Sequence, residues 1–206
     1  MARDAARARA AQARAAAGQA GLSAVVQDFV ALAAGASGEE FTVTYDLGDQ
    51  RGTVAQRPPD HRLDIVDPDG TDQAFIVNAK GSFACRRPGP AAPAPAAWSC
   101  ESDSRAAPPL GTFSLDDLTA TVNALVASRA AFDTRVESRP VAGTVARCLV
   151  TSAKPGAAVE GDTLCISAQG VPLLVEGGTN PQLHATGYSR SVRGDPFRLP
   201  APARSG

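Results

Sequence analysis

Between residues 22 and 35 the apolar positions repeat at helical spacing. Leu22, Val25, Val26, Phe29 and Ala33 stand at i, i+3, i+4, i+7 and i+11, and Gly35 and Gly38 supply a stop. One helix laid against a sheet is the expectation. From residue 41 the period falls to two: Phe41, Val43, Tyr45 and Leu47 alternate with Thr42, Thr44 and Asp46. Leu63 and Ile65 alternate with Arg62 and Asp64, and residues 71–78 and 82–85 continue a meander. Gly48-Asp49-Gln50 and Asp67-Pro68-Asp69-Gly70 are turns by their residue chemistry, proline presetting φ and glycine taking a positive one. Helical spacing returns within 113–132. Ser114 is the N-cap, Asp117 completes a box-like arrangement, and Leu115, Leu118, Val122, Leu125 and Val126 form the apolar face. A strand over FDTRVESRPVAG then leads into VARCLVTS, TLCISAQG, LLVE and LHATGYS, divided by Lys154-Pro155-Gly156 and Gly177-Gly178-Thr179-Asn180. Helix, strands, helix, strands is an α+β order: an antiparallel sheet with its helices segregated to one face.

The flanks and linkers differ in composition. Residues 1–20 are Ala-rich, with Arg3, Arg7, Arg9 and Arg14 and no apolar face beyond alanine. Helix propensity is high there, but a frayed tail or tether is expected, because short isolated helices are marginal. RRPGPAAPAPAA reads as an extended hairpin loop, ESDSRAAPPLG as a second linker, and residues 201–206 as a disordered tail. A single domain is expected over 21–200.

Four cysteines fall into two pairs. Cys85 and Cys100 are symmetric about the Pro-rich loop, and Cys148 and Cys165 about the turn near Gly156 and Ala157. Antiparallel partners have constant summed numbering, so both pairs are expected to sit directly opposite across a hairpin, within disulfide range. Of three possible connectivities, 85–100 with 148–165 follows from that symmetry. Disulfides imply an oxidising compartment; the alternative is four free buried thiols in the cytosol. Residues 1–20 hold no apolar signal region and no lipobox cysteine, so a leader is expected to have been removed or to lie upstream.

The net charge of −1, with signs mixed, gives no basic footprint for nucleic acid. Motifs for nucleophilic, metal or nucleotide chemistry are missing, so no enzyme activity, cofactor or metal is expected. His61, in Asp60-His61-Arg62, is explained as part of a solvated turn, and His184 as a surface residue. Asp67, Asp69 and Asp72 lack a terminal bidentate carboxylate and read as turn chemistry, not as a cation loop.

The C-terminal third adds one resemblance. A cysteine-bearing strand, then LCISAQGVPLLVE, a strand ending near Tyr188 and a closing DPFRLP resemble the last third of the LolA-like half-barrels. These are bacterial periplasmic lipoprotein carriers and their actinobacterial lipid-binding lipoprotein relatives. The resemblance implies a curved antiparallel half-barrel with helices on its concave face, extracytoplasmic and membrane-tethered. It implies a hydrophobic ligand, a lipid or acyl chain, carried without covalent chemistry. Two cysteine pairs and a Pro-rich insertion depart from the proteobacterial carrier. Alternation of residues places the candidate lining. Phe29 comes from the first helix, and Phe41, Val43, Tyr45, Leu63, Ile65 and Phe75 from the first strands. Leu118, Val122 and Leu125 come from the second helix, and Leu164, Ile166, Leu173 and Val175 from the last strands. The alternative on the same scaffold is a closed core that senses the envelope through a protein partner.

Overall fold

The computed structural model describes residues 2–90, 97–102, 132–156, 161–177 and 183–204. The second helix expected from the sequence, with Leu115, Leu118, Val122, Leu125 and Val126, lies outside the described residues. Those described are α+β, and their contacts divide them into two compact units. One holds residues 2–39 and 132–185, the other 40–102 and 186–204.

The first unit begins with two helices, α1 (Ala2–Gln19) and α2 (Ala24–Gly35). Gly21, at φ +69°, ends the first, and the Leu22 N–H donates to the Ala17 carbonyl at 3.0 Å. This six-to-one bond around a left-handed glycine satisfies a carbonyl that the helix end would leave orphaned. The apolar face of α2 is Val26, Phe29, Val30, Ala33 and Ala34, a full i, i+3, i+4, i+7, i+8 stripe. Val25, expected on that stripe, is 51% exposed, because the better-filled stripe starts one residue later. Residues 2–19 are no frayed tether: Ala13 and Ala17 are buried against α2 in one cluster with Phe29, Leu149 and Ile166. Alanine suffices because a small side chain lets two helices approach closely. Arg14–Asp28 at 2.7 Å and Arg9 Nη1 donating to Ser37 Oγ at 2.7 Å hold the pair from outside.

The strands of this unit are β7 (Phe132–Val141), β8 (Thr144–Ala153), β9 (Thr163–Ile166), β10 (Pro172–Glu176) and the start of β11 (Leu183–Ser189), neighbours in that order and antiparallel. Val136, Leu149 and Leu164 stand in one cross-strand row and pack with the α2 face. The opposite face carries Cys148, directly across from Cys165, bonded with Cα atoms 3.9 Å apart. The β7–β8 turn is Ala142-Gly143, both at positive φ (49° and 74°), the mirror-image turn that suits the strand twist. Alanine is the wrong residue for that conformation. Ala142→Gly should raise stability by about 0.5–1 kcal/mol, read as a higher urea midpoint at unchanged slope. An unchanged or lower midpoint would contradict the strain argument.

The second unit is built from β1 (Phe41–Leu47), β2 (Gln50–Arg57), β3 (Asp60–Val66), β4 (Asp72–Asn78), β5 (Gly81–Arg87), β6 (Ser99–Ser102) and β12 (Ala203–Arg204). Neighbours from β1 to β6 run antiparallel in chain order, and β12 joins β6 in parallel. Thr186, in the later half of β11, donates its hydroxyl to the Thr44 carbonyl at 3.4 Å. The expected turns are present. Gly70 sits at φ +79°, its N–H donates to Asp67 O, and Asp69 Oδ1 accepts from the Thr71 N–H. Asp67 accepts from Gln50 and Gln73, and Asp72 pairs with Arg87, so each of these carboxylates has a protein partner. Cys85 faces Cys100 and is bonded to it.

One face of this sheet is covered by the chain's own C-terminal segment. Val192 and Phe197 pack on Ala55, while Leu199 and Ala201 pack on the cluster of Ala74, Ile76, Phe83, Cys85 and Cys100. Polar side chains anchor the segment's backbone. Arg57 donates to Val192 O, Arg62 to Pro196 O and Asn78 to Phe197 O, at 2.8–2.9 Å. Glu40 accepts the Val192 N–H at 2.9 Å. The disordered tail expected after Pro200 therefore does not begin there: Ala201 is packed and Ala203 pairs with Cys100. Arg62 and Asp64 alternate with the core as expected, but the segment half-covers them, and they pair at 2.6 Å.

Candidate functional site

The other face of the second unit carries six of the fourteen expected lining residues. Directly opposed residues of an antiparallel pair share a face. The registers therefore stack Val43, Val54, Leu63, Phe75 and Ala84 in one row. Phe41, Gln56, His61, Val77 and Ser82 form the row toward the β2–β3 turn, and Tyr45, Gly52, Ile65, Gln73 and Arg86 the row on the other side. Phe41, Val43, Tyr45, Leu63, Ile65 and Phe75 are thus brought onto one apolar face.

Enclosure of that face is uneven. Val43 and Leu63 are 0% and 1% exposed, whereas Phe75, Val77 and Ala84 are half-buried and Arg86 is exposed. The face is closed over β1 and β3 and half-open over β4 and β5. On β4 the deeper residues are Ala74 and Ile76, turned the other way under the C-terminal segment.

The remaining candidates lie in the first unit. Phe29 and Ile166 share its core, and Leu164 packs against them. Val175 is opposite Leu164, on the same face, while Leu173 is the extra residue where the β9–β10 register shifts and is wholly buried. Leu118, Val122 and Leu125 lie outside the described residues. No family model and no curated protein matches the sequence.

Polar groups mark both ends of the apolar face. Tyr45 is buried, and desolvation, with Tyr188 beside it, pushes its phenol well above the usual tyrosine range. At the opposite end are Gln56, itself buried, and His61. His61 does not belong to a solvated turn. Its ring is half-buried and its Nε2 is buried with no hydrogen-bond partner among the described residues. Burial lowers the imidazole pKa below 6.5 against the opposing pull of Asp60 and of a hydrogen bond to the Pro59 backbone. Sequence reading missed this site although a signal was present: His61 stands two residues before Leu63, so strict alternation already puts it on the apolar face.

A pH effect follows from the lowered pKa. Below pH 6.5 the unfolded chain's imidazole takes a proton that folded His61 resists. The unfolded state then binds more protons, and stability falls with acidification from about pH 6.5 down through the folded value. The urea midpoint of the wild type should drop across that range, and His61→Phe should remove much of the drop. A His61→Phe profile parallel to the wild type would refute the assignment.

The two disulfides fit an oxidising, extracytoplasmic compartment. Among the described residues no helix is long and apolar enough to cross a membrane, and no cluster of His, Cys, Asp or Glu is arranged to hold a metal.

Proposed function

We propose that this chain is a non-enzymatic, extracytoplasmic binding protein, tethered at the cell envelope, that binds or carries lipid or lipoprotein acyl chains on a LolA-like half-barrel. The supporting observation is the apolar sheet face of β1–β4, which is only half-closed at Phe75 and Val77 and ends at His61, whose Nε2 has no hydrogen-bond partner among the described residues. A mostly apolar surface with few polar groups is what an acyl chain requires. No covalent step is needed, since the ligand is held by burial worth about 0.8 kcal/mol per methylene.

Native mass spectrometry followed by organic extraction tests this, on protein exported with both disulfides formed. Wild type should carry lipid or take up a fluorescent fatty acid. Phe75→Asp, confirmed folded, should lose most of that uptake, because a carboxylate on the half-open part of the face opposes an acyl chain. A clean mass with no uptake would sink the acyl-binding reading.

One observation favours a second reading. Val43, Leu63, Ile166 and Leu173 have 0–1% exposure, as in an ordinary closed core. Under that reading the scaffold is a regulatory or sensing module that works through a protein partner in the envelope, and added lipid leaves it unchanged.

A further inference from the structure

The C-terminal segment that covers the second unit's sheet carries the tripeptide Arg193-Gly194-Asp195. A three-residue motif has weight only through its structural context, and here the context is specific. Val192 and Phe197, on either side, are buried against Ala55, while Arg193, Gly194 and Asp195 are all exposed. The backbone is pinned before this arc: the Ser191 carbonyl accepts from Thr42 Oγ1, and Val192 is held by Arg57 and Glu40. It is pinned again after it, where the Pro196 and Phe197 carbonyls accept from Arg62 and Asn78. Gly194 bends the chain at φ +67°, a conformation glycine adopts without penalty, and Pro196 disfavours helical backbone at Asp195. The arc is therefore preorganised. Among the described residues neither the Arg193 guanidinium nor the Asp195 carboxylate has a hydrogen bond or ion pair, whereas Arg57 and Arg62 of the underlying sheet are paired with Glu40 and Asp64.

We propose that Arg193 and Asp195 form a two-point adhesion site, read by a receptor that offers a bound divalent cation to the carboxylate and an acidic pocket to the guanidinium. A carboxylate oxygen is a natural ligand for a hard cation with an open position, and a guanidinium fork matches carboxylates bidentately. Integrin-type adhesion receptors have this chemistry and recognise Arg-Gly-Asp as a unit. Pinning on both sides lowers the ordering cost of binding. Both disulfides fit a location outside the cytoplasm, where such a receptor is met. The arc lies over the sheet face opposite Val43, Leu63 and Phe75, so the site stands whether or not that face takes an acyl chain.

Surface plasmon resonance tests this. The full chain is immobilised with its disulfides intact, and the soluble vitronectin-receptor integrin ectodomain is passed over it in buffer containing Mn²⁺. Binding should saturate, vanish on chelation with EDTA and be displaced by a free Gly-Arg-Gly-Asp-Ser peptide; these arms need no variant. Asp195→Glu keeps the charge but moves the carboxylate by one methylene, and it should weaken binding by about thirtyfold or more, the scale of losing one partner of a desolvated charge contact. Asp195 is exposed, so the variant's urea midpoint should match that of the wild type. Arg193→Lys, which keeps the charge and loses the fork, should weaken binding as well. A merely electrostatic attraction to the exposed Arg190 and Arg198 would instead survive EDTA and Asp195→Glu and fade with added salt. That pattern, or no saturable binding in Mn²⁺, overturns the adhesion site and leaves the acyl-binding reading untouched.

Discussion

Gly170→Ala is expected to destabilise the protein by about 3–4 kcal/mol. The residue closes the β9–β10 hairpin. Gly170 N–H donates to the Ser167 carbonyl, Ser167 N–H donates to Val171 O, and the buried Ser167 hydroxyl accepts from the Gln169 and Val171 N–H groups. Two costs coincide there. The backbone is left-handed at φ +79°, and an added Cβ would stand 2.0 Å from the Leu32 carbonyl oxygen of α2. Gly143 isolates the first cost, since it has φ +74° and nothing within 4 Å of its would-be Cβ. Gly143→Ala should cost only about 1 kcal/mol. Urea midpoints of the two variants measure the difference, and equal losses would show that the hairpin does not press on α2.

Removing the Cys148–Cys165 bridge is the second large effect. The cysteines are separated by 17 residues, and a loop of that size gives about 3 kcal/mol in the chain-entropy account. Both residues are fully buried, so the double substitution to alanine also leaves unfilled volume. The double variant should unfold at a clearly lower urea concentration than the wild type, and reduction of the wild type should have a similar effect. Thiol titration of unfolded, unreduced protein from an oxidising host should find no free thiol. Four free thiols would remove the compartment argument, and an unmoved midpoint would show that the bridge is incidental to the fold.

Much of the second unit's strand pattern was legible because period two is a local property. β1 occupies the residues marked by the Phe41–Leu47 alternation, and the Asp67–Gly70 turn carries its own chemistry. Both cysteine pairs were legible because an antiparallel register is arithmetic: symmetric positions about a turn must meet. Helix α2 was legible as a helix, yet its stripe slipped by one residue at Val25. A stripe of small and apolar residues leaves the rotation to whatever it packs on.

Three features depended on contacts far apart in sequence. Alanines of α1 are too weakly apolar to advertise a buried face, and only the nearness of α2 makes them core. The C-terminal segment has no strand pattern, so nothing local shows that Val192 and Phe197 lie on Ala55, or that Arg57 and Arg62 hold their backbone. His61 was read as part of a solvated turn, although alternation with Leu63 places it on the apolar face, and the burial of its Nε2 had no local signal. Alternation assigns a face, whereas burial and hydrogen-bond partners are set by neighbours on other strands. The sequence by itself determined the strand periods and turns of the second unit, helix α2 and the disulfide registers, because each is encoded within a few residues or one symmetry. Tertiary structure alone decided which alanines are buried, which sheet face the C-terminal segment covers, and that His61 Nε2 lacks a hydrogen-bond partner among the described residues. Those depend on desolvation by segments distant along the chain.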